Sequence, residues 1–161
     1  MSHNFYAATN ASPYLKKNEI YHKKDYHQNV INILDSVSFD INRHSLVDLG
    51  CGNGALLNSI LNAHKIIDKI DVSGFDTTQD YIDFAKANKK HDIDFRCKDI
   101  LSLNSDTNEQ KFDYVISTGV LPIFEDFTKF FDACIGCLKP GGYLIVNGLM
   151  YSEVTYKNLT F

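Results

Sequence analysis

Arginine is nearly absent from this chain: among 161 residues only Arg43 and Arg96 carry a guanidinium, and the net charge is −4. Guanidinium forks are the common grip on phosphates and base edges. Their scarcity, with the acidic balance, argues against a nucleic-acid partner. Long apolar runs are missing too. No stretch approaches the roughly 20 residues that cross a bilayer, so no membrane association is expected. Met1 to Asn18 lacks the apolar segment of a signal peptide, which makes a cytoplasmic location the expectation. The four cysteines are Cys51, Cys97, Cys134 and Cys137. Cys134-x-x-Cys137 has neither a second pair nor a His-x-His partner nearby, so a zinc or redox motif is not supported and no metal is expected. Reduced thiols packing as small hydrophobes fit better. Asn10-Ala-Ser12 and Asn158-Leu-Thr160 fit the glycosylation pattern but are discounted without a secretion signal. Repeats, low-complexity tracts and linkers are also lacking, and the length predicts one domain.

What is present centres on Val47-Asp48-Leu49-Gly50-Cys51-Gly52-Asn53-Gly54. An apolar run ends in an acid. Three alternating glycines follow, and a helical pattern starts at once with Ala55, Leu56 and Leu57. A strand that runs through a glycine turn into a helix is the context in which such a loop binds a ligand. Glycine permits the sharp turn and the close approach. The amides of the helix start then face a polar or negative group.

The rest of the chain alternates. Residues 1–20 read as an irregular arm with Tyr6, Pro13 and Tyr14. A helix is predicted over 22–37, with Val30, Ile33, Leu34 and Val37 on its apolar face. Strands are predicted over 45–49, 70–75, 93–97, 112–117 and 143–146. Helices are predicted over 54–63, from Thr78 as N-cap through Tyr81, Ile82, Phe84 and Ala85, and over 125–138 with Phe127, Phe130, Phe131 and Ile135 on one side. Pro140-Gly141-Gly142 is read as the stop of the last helix and a turn before the fifth strand. Residues 101–110 read as a polar loop with room for a short helix. Alternating strands and helices predict an α/β, three-layer αβα sandwich around a mostly parallel sheet. In such sheets ligands bind beyond the carboxyl ends of the strands. The polar residues Asp48 to Gly54, Asp76 to Thr78, Asp99 and Ser117 to Gly119 all fall there.

Asp76 lies about 20 residues beyond the glycine turn, where an acid accepts ribose hydroxyls. Gly54 and Asp76 alone would also suit a nicotinamide dinucleotide. The turn, however, is Gly50-x-Gly52-x-Gly54, with the third glycine one residue earlier than in G-x-G-x-x-G. Asp48 beside it would repel a pyrophosphate and suit an ammonium. The site reads as a holder of a nucleoside with a cationic or zwitterionic arm.

Over roughly 44–147 the chain resembles the class I S-adenosylmethionine (SAM)-dependent methyltransferases, of the small-molecule type. The segment 47–54 carries the first motif. Gly74-Phe75-Asp76-x-Thr78 with Tyr81-Ile82 and Ala85 carries the second. Asp99-Ile100 is the third, Phe112 to Ser117 the fourth, and Leu138-Lys139-Pro140-Gly141-Gly142-Tyr143-Leu144 the fifth. The resemblance implies a Rossmann-like sheet with strand order 3-2-1-4-5. Its usual C-terminal hairpin is missing or incomplete here, so the chain reads as short at that end. The implied organisation is an N-terminal arm and helix acting as a lid (1–43), a SAM-binding core (44–149) and a tail offering an edge strand (150–161).

The resemblance also implies roles. Asp48 and the backbone of Gly50, Cys51, Gly52, Asn53 and Gly54 hold the methionine part of SAM. Asp76, with Thr77 and Thr78 after it, holds the ribose. Asp99 accepts from the adenine amino group, with Ile100 against the ring. Ser117, Thr118 and Gly119 close over the methionine end. The implied reaction moves a methyl group to a small-molecule acceptor by in-line displacement, leaving S-adenosylhomocysteine. The alternative is a truncated or non-catalytic SAM-binding module acting through a partner. No convincing general base stands out: His22, His27, His44, His64 and His91 are scattered, and the catalytic residues are left unassigned. Val120, Leu121, Ile123 and Phe124 read as core or pocket wall. The edge of the fifth strand calls for a cover, from residues 154–161, a further segment or a second copy in a homodimer.

Overall fold

The computed structural model describes residues 24–37, 44–64, 70–105 and 111–148. The arm with Tyr6 and Tyr14, His22, and the tail at 154–161 lie outside the described residues. Five strands form one parallel sheet: β1 (His44–Leu49), β2 (Ile70–Asp76), β3 (Ile93–Cys97), β4 (Phe112–Thr118) and β5 (Leu138–Asn147). Their order is β3-β2-β1-β4-β5, and every pairing is parallel. The helices are α1 (Asp25–Ser36), α2 (Ala55–Ala63), α3 (Gln79–Asn88) and α4 (Phe127–Gly136), with 3-10 turns at Ile100–Ser105 and Leu121–Ile123.

Two apolar layers sandwich the sheet. One joins Leu46, Val72, Phe95, Tyr114 and Ile116 to Val30, Ile31 and Leu34 of α1, Leu57 and Ile60 of α2 and Ile82 of α3. The other joins Val47, Leu49, Phe75 and Val115 to Phe130, Ala133 and Cys134 of α4. β1 is buried along nearly its whole length, as a strand covered on both faces must be. Because β1 is the central strand, the turn that follows it opens in the middle of the carboxyl edge. That edge is where ligands enter such a sheet.

Three local expectations are corrected. In α1 the buried set is Val30, Ile31 and Leu34, whereas Ile33 is 44% exposed. In α4 the buried set is Phe130, Ala133 and Cys134, and Ile135 points outward at 57% exposure. Pro140-Gly141-Gly142 does not stop the helix. It ends at Gly136, and all three residues lie inside β5, beside a register irregularity between Phe112 and Tyr114. Bulges and edge strands are where a sheet tolerates proline and glycine.

Asp113 ties the amino ends of the strands together. Its Oδ2 accepts from Ser45 N at 2.8 Å, Ser45 Oγ at 2.9 Å and Lys139 Nζ at 2.8 Å. One acid thus links β1, β4 and β5 at the end opposite the glycine turn. Among the described residues, no helix is long and apolar enough to cross a membrane.

Candidate cofactor site

The turn after β1 is built by backbone bonds to the end of β2. Gly50 N and Cys51 N both donate to Phe75 O, at 2.7 and 3.0 Å. Gly54 N donates to Cys51 O at 2.9 Å, closing the turn. Gly50, Gly52 and Gly54 all have positive φ. At two of them space forbids a side chain as well. A Cβ on Gly50 would lie 2.3 Å from Val120 Cγ2, and one on Gly54 would lie 2.5 Å from Phe95 Cζ. Gly54 caps α2 at φ 77°, so the helix starts straight out of the turn with its first amides at the carboxyl edge.

Asp76 organises the neighbouring wall. Its Oδ2 accepts from Gly52 N and its Oδ1 from Thr78 N, both at 2.9 Å. The carboxylate therefore fixes the glycine turn to the entry of α3. Thr78 is the N-cap residue, but its side chain makes no capping bond; the Asp76 carboxylate holds its amide just ahead of the helix. Thr77 is exposed beside it, and its carbonyl faces Cys97 Sγ at 3.4 Å.

Asp48 differs from every other acid here. It is 1% exposed, and its Oδ1 has no hydrogen-bond partner among the described residues. Burial first, and then the charge of Asp76, push its carboxyl from the ordinary 3.8 up to about 8. A buried acceptor with no donor costs free energy. Such a group is found where something else supplies the donor. Cys51 lies beside it, buried, and burial pushes its thiol well above the ordinary range.

The remaining expected residues divide. Asp99 is exposed; its Oδ1 accepts from Leu101 N at 3.0 Å, and its carbonyl accepts from Ser102 N and Oγ. Ile100 is 4% exposed, and its side chain packs into the second apolar layer. Asn53 is buried, with Oδ1 accepting from Ala55 N at 3.2 Å. Ser117 is buried, and its hydroxyl donates to Leu49 O at 2.8 Å, locking the tip of β4 to that of β1. Thr118 is half-buried. Gly119 is exposed, and its N–H donates to Asn147 O at 2.7 Å. Val120 forms wall over Gly50, Leu121 is core and Ile123 is 39% exposed.

None of the described histidines stands at the carboxyl ends of the strands as a base would. His44 begins β1 at the opposite end, edge-on to Tyr114. His64 follows α2, its Nδ1 3.2 Å from Asp35. His91 meets Asn62. His27 is buried between helices, its Nδ1 3.2 Å from Ser59 Oγ, so it joins α1 to α2. The sequence pattern did not reveal Phe95 or Val120 as supports of the turn. Their only sequence signal is bulk at positions that the strand order brings against glycines.

A parallel sheet in this order, with an acid-flanked glycine turn at its centre, defines a Rossmann-like α/β domain. The family model described as a methyltransferase domain matches residues 42–158, and the chain belongs to that family. Ubiquinone biosynthesis O-methyltransferase of Coxiella burnetii (strain Dugway 5J108-111) is 33% identical over 102 residues, covering 62% of this chain and 41% of that protein. Putative methyltransferase 235L of Invertebrate iridescent virus 6 is 30% identical over 115 residues, covering 71% of this chain and 40% of that protein. The chain thus spans about two-fifths of the length of these curated relatives. Among solved structures, the plantazolicin methyltransferase BamL in complex with a triazolic desmethylPZN analog and SAH superposes with a TM-score of 0.68. Identity is 18%, over 91% of this chain and 55% of that one. The CurJ carbon methyltransferase gives 0.65 at 16% identity, over 74% of this chain and 34% of that one. At these identities the likeness establishes the fold.

Proposed function

We propose that this chain binds S-adenosylmethionine at the carboxyl end of β1 and belongs to an enzyme that transfers the cofactor's methyl group to a small molecule. The observation that carries this is the orphaned Oδ1 of Asp48, buried behind a turn with no room for side chains at Gly50 and Gly54. A phosphate there would meet a buried acid beside the Asp76 carboxylate, with no positive charge among the described residues to balance it; an ammonium supplies the missing donor and a charge that lets Asp48 ionise. Asp48 and the backbone of residues 50–54 then hold the amino-acid arm. Asp76, already fixed on two backbone amides, keeps lone pairs for ribose hydroxyls, with Thr77 and Thr78 beside it. Asp99 stands at the adenine end, with Ile100 behind it. Thr118 and Gly119 border the methionine end, while Ser117 holds the strands that carry them.

The bound cofactor supplies an activated methyl group, displaced in line by the acceptor. What the chain contributes is orientation and exclusion of water. The relatives' names, as ubiquinone biosynthesis O-methyltransferases, favour a small acceptor. So does the paucity of arginine. A cytoplasmic setting belongs to the same proposal, with the edge of β5 that is unpaired among the described residues covered by further chain or by a second copy. A second reading, a SAM-binding module that relies on a partner for turnover, is favoured by the lack of a base at the strand ends among the described residues.

Calorimetric titration with SAM and with NAD separates the cofactors. Binding of SAM and not NAD, lost in Asp76→Ala, is the expected result. Failure of folded protein to bind SAM overturns the proposal. Tight SAM binding without turnover across a broad acceptor panel favours the second reading.

A further inference from the structure

We propose that Asp48 carries a proton in the ligand-free protein and releases it when an ammonium enters the glycine turn, so that the site takes up its ligand in exchange for a proton. This rests on the reading of the site as a holder of SAM and its product S-adenosylhomocysteine.

The geometry around Asp48 gives the Oδ1 of an anion no donor among the described residues. The carboxyl is 1% exposed, and Oδ1 has no donor among the described residues. Its register neighbours are Gly74 on β2 and Ile116 on β4, neither of them charged. The titratable groups that bear on it are Asp76 at the end of β2 and the Cys51 thiol in the turn. The nearby buried polar side chains are already engaged: Asn53 of the turn with Ala55 N, Asn58 of α2 with Gly54 O and Lys90 N, and His27 of α1 with Ser59. An ionised Asp48 would therefore sit desolvated and beside another carboxylate. A proton removes both penalties, and the rise to about 8 agrees with that. Filling the Oδ1 position with an ammonium reverses the balance, because it brings a donor and a positive charge together.

The step balances simply. The O–H bond of the Asp48 carboxyl breaks, its proton goes to solvent, and an ammonium–carboxylate pair forms with no other bond changed. Ammonium-bearing ligands are thereby distinguished from nucleosides that lack the arm. Only the former displace the proton.

The test is calorimetry of the intact protein with S-adenosylhomocysteine near pH 7, in phosphate and in Tris, whose ionisation heats differ. Wild type is expected to release about one proton per site. Its Kd should tighten by up to about tenfold per pH unit from about pH 6 to 7.5. Asp48→Asn should release none and show a flat profile. 5′-Methylthioadenosine, which has no ammonium, should bind without proton release even to wild type. If Asp48→Asn fails to fold, the wild-type slope and the methylthioadenosine comparison decide. Equal heats in both buffers for S-adenosylhomocysteine overturn the proposal and leave the cofactor site standing. Equal proton release with methylthioadenosine assigns the proton to another group and also overturns it. No binding of S-adenosylhomocysteine by folded protein removes the cofactor reading, and the proposal with it.

Discussion

Val120 stands over Gly50. Its Cγ2 lies 2.3 Å from the point that a Cβ on Gly50 would occupy, and Gly50 itself sits at φ 82°. The loop after β4 is thus packed onto the turn after β1. Two separate costs follow for Gly50→Ala: a strained backbone and a steric clash. Each is worth roughly 1–3 kcal/mol. Gly50→Ala is expected to lower stability by about 2–6 kcal/mol and to abolish S-adenosylhomocysteine binding. Adding Val120→Ala should recover the clash component only. Urea unfolding of the single and double variants measures the split.

Asp76 accepts from Gly52 N and Thr78 N and is the proposed ribose acceptor. Asp76→Ala leaves both amides without that partner and removes the hydroxyl contacts. SAM binding should weaken by about a hundredfold or more, from roughly 3 kcal/mol of lost charge-assisted hydrogen bonds. Asp76→Asn should be milder, because its carbonyl still accepts one bond. Titration calorimetry ranks the three proteins.

Asp48 gives the ligand-free protein an unusual pH dependence. Its folded value, about 8, lies above the ordinary 3.8, so the native state binds the proton more tightly than the unfolded chain. The stabilising effect is complete below about pH 4 and is lost as pH rises toward 8. The melting temperature should fall across that window, and Asp48→Asn should flatten the fall. Thermal unfolding between pH 5 and 8 reads it. A melting temperature independent of pH in wild type would count against a buried, protonated Asp48.

Asp113 behaves in the opposite sense. Partial burial pushes its carboxyl up, but the bonds from Lys139 and Ser45 and the charge of Lys139 outweigh that and hold it below the ordinary value. Its contribution is present above that value and lost as pH falls. Asp113→Ala should cost about 1–2 kcal/mol in unfolding free energy near neutral pH. Cofactor affinity should not change, because Asp113 lies at the amino ends of the strands. Denaturation and titration of the same variant test both halves.

Exposure of the thiols makes a simpler prediction. Cys51, Cys134 and Cys137 are buried and Cys97 is exposed. Burial pushes the Cys134 thiol up to about 12, with the charge of Cys137 adding to it. A thiol reagent should therefore label about one group per native chain quickly, and Cys97→Ser should remove that phase.

Much of the architecture was legible because it is local. Apolar runs closed by Asp48, Asp76 and Ser117 mark strands β1, β2 and β4, and the alternation with helices gives the layers. Helix faces were less legible. Ile33 and Ile135 satisfy the period but lie just outside the stripe that meets the sheet. Pro140-Gly141-Gly142 resembles a helix stop, yet it sits in β5 because an edge strand with a bulge tolerates it. Roles within the site were harder still. Ser117 has the position of a ligand contact, but its hydroxyl is taken by Leu49 O, a partner 68 residues away. Thr78 has the residue type of a cap, but its side chain makes no capping bond, and its amide is held by Asp76. A partner distant in sequence decides the first case, and a carboxylate two residues earlier the second.

Phe95 lies beneath two glycines at once. Its ring would meet a Cβ on Gly74 at 2.8 Å as well as one on Gly54 at 2.5 Å. Positions 54, 74 and 95 share a single volume, so natural variation among them should be correlated. A lineage acquiring alanine at 74 should first have acquired a smaller residue at 95. The glycine at 54 answers to φ as well as to space, and should therefore be the last of the three to drift.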